Sequence, residues 1–364
     1  MRKYKNIVYV GGYTNDVSEY NRYSKGKGLA VYGIKEDGEW DKIQELEDDN
    51  PCVLGFGKNK AVVYAANSPT EGKEVVGITC YEVQGENATL KKSDRQLNLS
   101  FPVCNFAVHP DFGHLTCVDF QGNIYLISLN GDGTLRRVED KKQLSGKTGP
   151  LAGIQKCPRP HSVNISPDGQ YIFLPDKGCD CVHICRQEGE RLSDILLTEY
   201  LRPASCPRHM AFHPNGKIVY VLNEFSNTIY GMKFDEQAMR LAAFQIIPTE
   251  PSDSVSLYAK AAEIEIDPKG RHLYASNRGH NSIAVYDIDD NGVLRTHGWY
   301  STGGEIPRFF TMDKQGKYII CGNQKSHSIS IFSIKADGGL ELMSVKANIN
   351  CPTWILLQND NWKF

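Results

Sequence analysis

One turn recurs along this chain, and its recurrence leaves few folds open. Residues 204–232 read Ala-Ser-Cys-Pro-Arg-His-Met-Ala-Phe-His-Pro-Asn-Gly-Lys-Ile-Val-Tyr-Val-Leu-Asn-Glu-Phe-Ser-Asn-Thr-Ile-Tyr-Gly-Met. An apolar run, Met210 to Phe212, enters a turn, His213-Pro-Asn-Gly216, in which Pro fixes φ and Gly supplies a positive φ. A run rich in β-branched and aromatic residues, Lys217 to Asn223, leaves it as a strand. The pattern returns around Gly169, Gly270 and Gly316, and more weakly from Phe106 to Gly113. Glycines 169, 216, 270 and 316 are 47, 54 and 46 residues apart. Repeats of that length, each able to supply four short strands, predict the blades of a β-propeller.

The rest of the chain fits the same plan. Ile7 to Thr14, Gly28 to Ile34 and Asp41 to Leu46 read as three strands, one short of a blade. The apolar stretch Thr353-Trp-Ile-Leu-Leu357 supplies a fourth from the other end, so the ring closes without a free sheet edge at its seam. A second blade runs from Cys52. Others begin near Val103, His161, Arg208, Ala262 and Arg308, which makes seven four-stranded antiparallel blades. Longer connections fall at 140–160 and 247–261. No linker interrupts the 364 residues, so one propeller domain over 1–364 is expected.

Composition excludes several partners. A formal net charge of −2 gives no reason to expect nucleic acid or an acidic membrane surface. No run of 18 apolar residues is present to span a bilayer. The N-terminus runs into the strand at Ile7 with no apolar leader, so the mature chain is expected to start here. Eleven scattered cysteines, an odd number, suggest reduced thiols and a cytoplasmic location. Cys179, Cys181, His183 and Cys185 alternate along one strand. Neighbours two apart lie about 6.6–6.8 Å from each other, so packing is expected of them and a tetrahedral metal site is not. Gly26–Leu29 reads as a hairpin turn, since no helix follows for a phosphate loop. No cofactor or metal is called for.

Polar residues recur where a propeller opens its mouth. Five residues before each turn position stand His161, Arg208, Ala262 and Arg308. At the end of the second strand stand Asp176, Glu224, Arg278 and Gln324. Guanidinium groups clamp carboxylates or phosphates and stabilise developing oxyanions. An imidazole beside them can act as a general base, with a carboxylate to orient it. A blade-to-blade salt bridge between Arg208 and Glu224 would account for the same residues, so spacing alone leaves both readings open.

The chain resembles the seven-bladed lactonase family, that of bacterial 6-phosphogluconolactonases and fungal carboxymuconate-lactonizing enzymes. The resemblance runs from Tyr9-Val-Gly-Gly-Tyr-Thr14 to Cys351-Pro-Thr-Trp354. Its most specific pieces are Pro160-His-Ser162, Pro207-Arg-His-Met-Ala-Phe212, Asn223-Glu224, Ala261-Ala-Glu-Ile264, Ser276-Asn-Arg-Gly-His-Asn-Ser-Ile283 and Pro307-Arg-Phe-Phe310. It implies an active site of one His, two Arg and one Glu, which fall on His161, Arg208, Arg278 and Glu224. Arg159, Asn223, His280, Arg308 and Gln324 would bind substrate around them. The implied reaction is hydrolysis of a small anionic sugar lactone such as 6-phosphogluconolactone. A muconate-type lactonizing cycloisomerase and a non-catalytic anion-binding propeller are the alternatives. Three departures bear on substrate. Arg159 replaces the first His of the family's Pro-His-Ala-His and favours an anionic ligand. Glu265 replaces the His of Ala-Glu-Ile-His. Asp119-Phe-Gln-Gly122 shortens a loop.

Overall fold

Each repeat folds into a four-stranded antiparallel sheet. The structure is a computed structural model that describes residues 3–14, 24, 26–67, 76–93, 97–99, 102–254, 256, 259–360 and 362. Seven sheets are arranged as a propeller. In blade 1 the strands Asn6–Gly12, Gly28–Ile34 and Trp40–Glu47 are completed by Pro352–Leu357, which takes the innermost place. Val8 faces Leu357 and Gly11 faces Trp354 across this seam. Blades 2 to 7 have inner strands at Pro51–Phe56, Val103–Val108, Asn164–Ile165, Pro207–Phe212, Lys260–Ile266 and Pro307–Met312. Part of the 247–261 connection, residues 255, 257 and 258, lies outside the described residues.

The alternation along the strands explains the ring. Both faces of a blade are apolar, so each buries its faces against the blades beside it. Seven separate apolar clusters result, one at each blade-to-blade junction. At the blade 4–blade 5 junction Phe173 meets Phe212 and Phe234 edge-on, with ring centroids 5.0 and 5.1 Å apart. Tyrosine hydroxyls latch neighbours across these cores. Tyr220 donates to the Gly292 carbonyl (2.7 Å) and Tyr274 to the Gly338 carbonyl (3.0 Å), so no buried hydroxyl is left unmet at those positions. The turn that announced the repeat forms as expected. Gly216 and Gly270 have φ of +71° and +70°, and Asp267 accepts backbone N–H groups of Lys269, Arg271 and His272.

A further feature recurs that the sequence did not reveal. The pairing between first and second strands skips one residue in blades 1, 2, 3, 5 and 7, placing Thr353, Cys52, Cys104, Arg208 and Arg308 in β-bulges. Blade 6 skips two, Ala262 and Glu263. Four of these strands begin with Pro, and the residue before it has a positive φ: Asn50, Cys206, Ile306 and Cys351. A bulge turns the extra residue out of the ladder and re-aims its side chain. Here it aims each one at the same mouth. The eleven cysteines are all free thiols, ten of them buried.

Candidate active site at the propeller mouth

The register of the blades defines two equivalent sets of mouth positions. The first set holds the bulged residues. The second is the residue that follows the partner, on the second strand, of the residue just before each bulge. Asn223 pairs with Thr228, Asn277 with Ser282 and Asn323 with Ser328, so Glu224, Arg278 and Gln324 are equivalent. In blade 4 the residue that pairs in this way is Asp176, with Cys181. Its successor, Lys177, is therefore the counterpart of Glu224. The sequence reading placed Asp176 in that set, one residue too early. Asp176 instead caps its own turn, one carboxylate oxygen accepting the backbone N–H groups of Arg159, Gly178 and Cys179. The signal for Lys177 was present: it lies eight residues after Gly169, as Glu224 does after Gly216.

Blades 4, 5 and 6 bring their charged residues together. Arg208 Nη1 donates to His161 Nε2 at 2.5 Å and lies 3.7 Å from Glu224 Oε2. Arg278 Nη2 pairs with Glu224 Oε1 at 2.9 Å, and Lys177 Nζ donates to Glu224 Oε2 at 2.6 Å. The arginines are held from behind by backbone. Arg208 Nε donates to the Ala262 carbonyl (2.8 Å), and Arg278 donates to the carbonyls of Lys260 (3.2 Å) and Ala261 (3.0 Å). All but Lys177, which is largely covered, are buried. Three cations thus surround one carboxylate.

The electrostatics follow from that count. Burial opposes the Glu224 charge, but Lys177, Arg278 and Arg208 outweigh it and hold the carboxyl well below its ordinary range. Burial, with Arg208 and Lys177 beside it, pushes His161 well below the usual imidazole value, so the ring is neutral at pH 7. Because Arg208 donates to Nε2, that nitrogen carries the lone pair and Nδ1 the proton. Burial lowers Arg208 to about 10 and lowers the Lys177 ammonium against the pull of Glu224.

The other predicted residues sit at different distances from this cluster. Arg308 donates to the Tyr13 hydroxyl (3.0 Å), and its guanidinium lies over that ring. Arg159 covers Phe120, its carbon centre 5.2 Å from the ring centroid, and donates to the Ile154 carbonyl. Phe120 in turn meets His161 edge-on. Gln324 is buried beside Cys351. Asn223 is fully buried, and its amide donates to Thr228 within its own turn. His280 bonds the Ser282 hydroxyl (2.7 Å), also within its turn. Behind His161 lies a second pair that sequence reasoning passed over. The His209 ring sits 5.5 Å from that of His161, and its Nδ1 contacts both Glu263 oxygens at 3.0 Å. Further out in blade 4, His183 Nε2 lies 3.3 Å from Cys181 Sγ and Nδ1 bonds Thr198, within the sheet.

A cavity of about 20 Å³ opens beside His161 and Arg208, walled also by Phe120, Arg308 and Trp354. It has room for about one water. A far larger groove of about 1050 Å³ lies on the opposite face, between the turns at Ser166, Pro214 and Asp290. Among the described residues, no imidazole or guanidinium lines it.

Comparison with known proteins agrees with this fold. Residues 7–357 match the family described as "Lactonase, 7-bladed beta-propeller". The chain is 33% identical over 345 residues to a 6-phosphogluconolactonase of Formosa agariphila, covering 91% of this chain and 93% of the relative. It is 26% identical over 366 residues to the 6-phosphogluconolactonase of Bacillus subtilis, covering 98% of both. Among solved structures, the periplasmic gluconolactonase of Pseudomonas aeruginosa superposes with a TM-score of 0.86 at 24% identity, over 98% of this chain and 99% of that one, and shares the fold. With the family matched across nearly all its length and the blades closed as that family's name requires, this chain belongs to the seven-bladed β-propeller lactonases.

Proposed function

We propose that this protein hydrolyses a sugar lactone at the mouth formed by blades 4 to 7, with 6-phosphogluconolactone as the first substrate to test. The observation that carries the reading is the contact of a neutral imidazole, His161 Nε2, with a buried guanidinium, Arg208 Nη1, beside a water-sized cavity. His161 is the base in this scheme. Glu224 is too acidic to take a proton while two arginines and a lysine hold it. A lactone carbonyl placed against Arg208 competes with His161 for Nη1 and frees the Nε2 lone pair. That lone pair takes a proton from water as the water oxygen attacks the carbonyl carbon. Arg208 and Arg278 then face the oxyanion, held in place by backbone carbonyls so that they need little rearrangement.

An anionic substrate suits the charge of the site. Lys177, Arg208 and Arg278 against Glu224 leave an excess of two positive charges in a buried cluster, and Arg159 and Arg308 flank it. Buried charge without a partner is costly, so a phosphate or carboxylate bound above the cavity would be favoured. The relatives named 6-phosphogluconolactonase support that choice. The test is hydrolysis of freshly generated 6-phosphogluconolactone, corrected for spontaneous opening, beside gluconolactone. Wild type is compared with Arg208→Ala and His161→Ala. The expected result is preference for the phosphorylated lactone and loss of about 10²–10⁴ in kcat in both variants. Turnover of neither lactone overturns the reading.

A further inference from the structure

The mouth cluster has a sequence of contacts: His161 to Arg208, Arg208 to Glu224, Glu224 to Lys177. A carbonyl held at Arg208 therefore lies against the imidazole, with the ammonium group close by at Glu224. Lactone hydrolysis needs both ends. Attack requires a base for water. Opening requires an acid, because the ring oxygen departs as an alkoxide.

Lys177 differs from every other member of the cluster in what it can give. The Arg208 guanidinium, though lowered by burial, stays charged at neutral pH and is tied by its Nε–H to a backbone carbonyl. Glu224 is ionised, and His161 enters the reaction neutral. Lys177 is the member that carries a transferable proton at the start, and burial makes it a stronger acid than an ordinary lysine. Its mooring differs too. Whereas the arginines donate to backbone carbonyls, the Lys177 ammonium meets the Glu224 carboxylate and the face of Phe225, 4.9 Å from the ring centroid. A long flexible stem gripped at its tip by a carboxylate can swing toward a ligand.

We propose that Lys177 is the general acid that protonates the departing ring oxygen; this rests on the lactonase reading above. The steps balance as follows. Water gives one proton to His161 Nε2 as its oxygen bonds to the carbonyl carbon. The tetrahedral oxyanion collapses to a carbonyl, the carbon–ring oxygen bond breaks, and the ring oxygen leaves with the electron pair. Lys177 Nζ passes a proton to that oxygen, giving the hydroxyl of the open acid. The proton on His161 restores Lys177 by way of solvent. The new carboxylic acid then ionises, which is the one net proton released.

The test uses the full chain and whichever of the two lactones wild type opens. Lys177→Arg keeps the positive charge beside Glu224 but cannot donate a proton. Lys177→Ala leaves space that a small amine can enter. Both variants should lose about 10²–10⁴ in kcat, with KM within about threefold of wild type. Added methylamine or ethylamine should restore turnover to the alanine variant and not to the arginine variant, and the restored rate should rise with the acid strength of the ammonium ion. Near wild-type turnover in Lys177→Arg would show that only charge is needed and would overturn the proposal. So would a lack of amine rescue. Wild type inactive on every lactone would overturn the lactonase reading and this inference together. An active wild type with unrescued variants would overturn this inference alone.

Discussion

The mouth of the propeller has two unlike halves built on one backbone plan. Blades 4 to 7 place His161 and Lys177, Arg208 and Glu224, Ala262 and Arg278, Arg308 and Gln324 in the two equivalent sets. Blades 1 and 3 place Thr353 and Tyr13, and Cys104 and Phe120, in the same sets. Blade 2 contributes Cys52, its second position lying outside the described residues. The bulge that aims Arg208 at the mouth also aims Cys104 and Thr353 there. The bulge is therefore a device of the whole ring, and the side chains decide which part is charged. The halves meet at the small cavity, where Phe120 and Trp354 face His161 and Arg208. A ligand lying across it would have its charged groups over blades 4 to 7 and its apolar face toward blades 1 to 3.

The sharpest way to break this contrast is to remove the carboxylate. Glu224→Ala leaves Lys177, Arg208 and Arg278 buried together without their counter-ion. We expect a loss of about 3–5 kcal/mol of stability, read by urea denaturation. The equivalent change in the apolar half, Phe120→Ala, should cost only about 1–2 kcal/mol, because Phe120 is partly exposed and has no buried charge to orphan. Similar losses at the two positions would mean that the charged half is held by packing rather than by ion pairing.

The second test uses pH. His161 has its folded pKa pushed below the unfolded value, so the unfolded chain takes up a proton first as pH falls. Stability tied to the neutral ring is thus present at pH 7 and declines below about pH 6.5. At pH 5 the loss should be about 2 kcal/mol. His161→Asn should flatten this part of the curve. The remaining slope between pH 6.5 and 5 should come in part from His209, which burial also lowers. Glu224 adds its own loss only below about pH 4.5, since its folded pKa is depressed. An unchanged slope in His161→Asn would place a charged imidazole at the mouth.

The smallest effect lies further down the channel. Three residues beyond each bulge stand Gly55, Ala107, Asn164, Ala211, Thr311 and Leu356, and in blade 6 Glu265; all seven are half-buried. Burial, with Glu263 nearby, pushes Glu265 up to about 8, while its carboxylate accepts the Met312 N–H. A raised carboxyl destabilises the fold as pH climbs from about 4.5 to 8. Glu265→Gln should therefore be more stable than wild type at pH 9 and equal to it at pH 4. Glu265 is half-buried, so solvent screens its charge and the gain at pH 9 should be about 1 kcal/mol, measured by thermal melts. A gain independent of pH would assign the effect to packing.

Turn spacing and strand runs together predicted seven four-stranded blades and the closing strand from Thr353 to Leu357. Turn glycines and strand runs are local signals, and five copies of the turn with strand runs between and beyond them point to one architecture. The motifs also drew attention to His161, Arg208, Glu224 and Arg278 before any contact was known. Only the tertiary structure decided which of these and which neighbours touch. It showed the Lys177 ammonium on Glu224; the eight-residue offset from Gly169 already marks that position in the sequence, whereas counting from the strand's end selects Asp176. It turned Asn223 and His280 into their own turns, where a short side chain finds its partner within a few residues. It also brought His209 and Glu263, 54 residues apart, into contact behind His161. Bulges, buried ion pairs and shared channel walls depend on several blades at once. No single repeat encodes them, and for that reason they became legible only when the ring was closed.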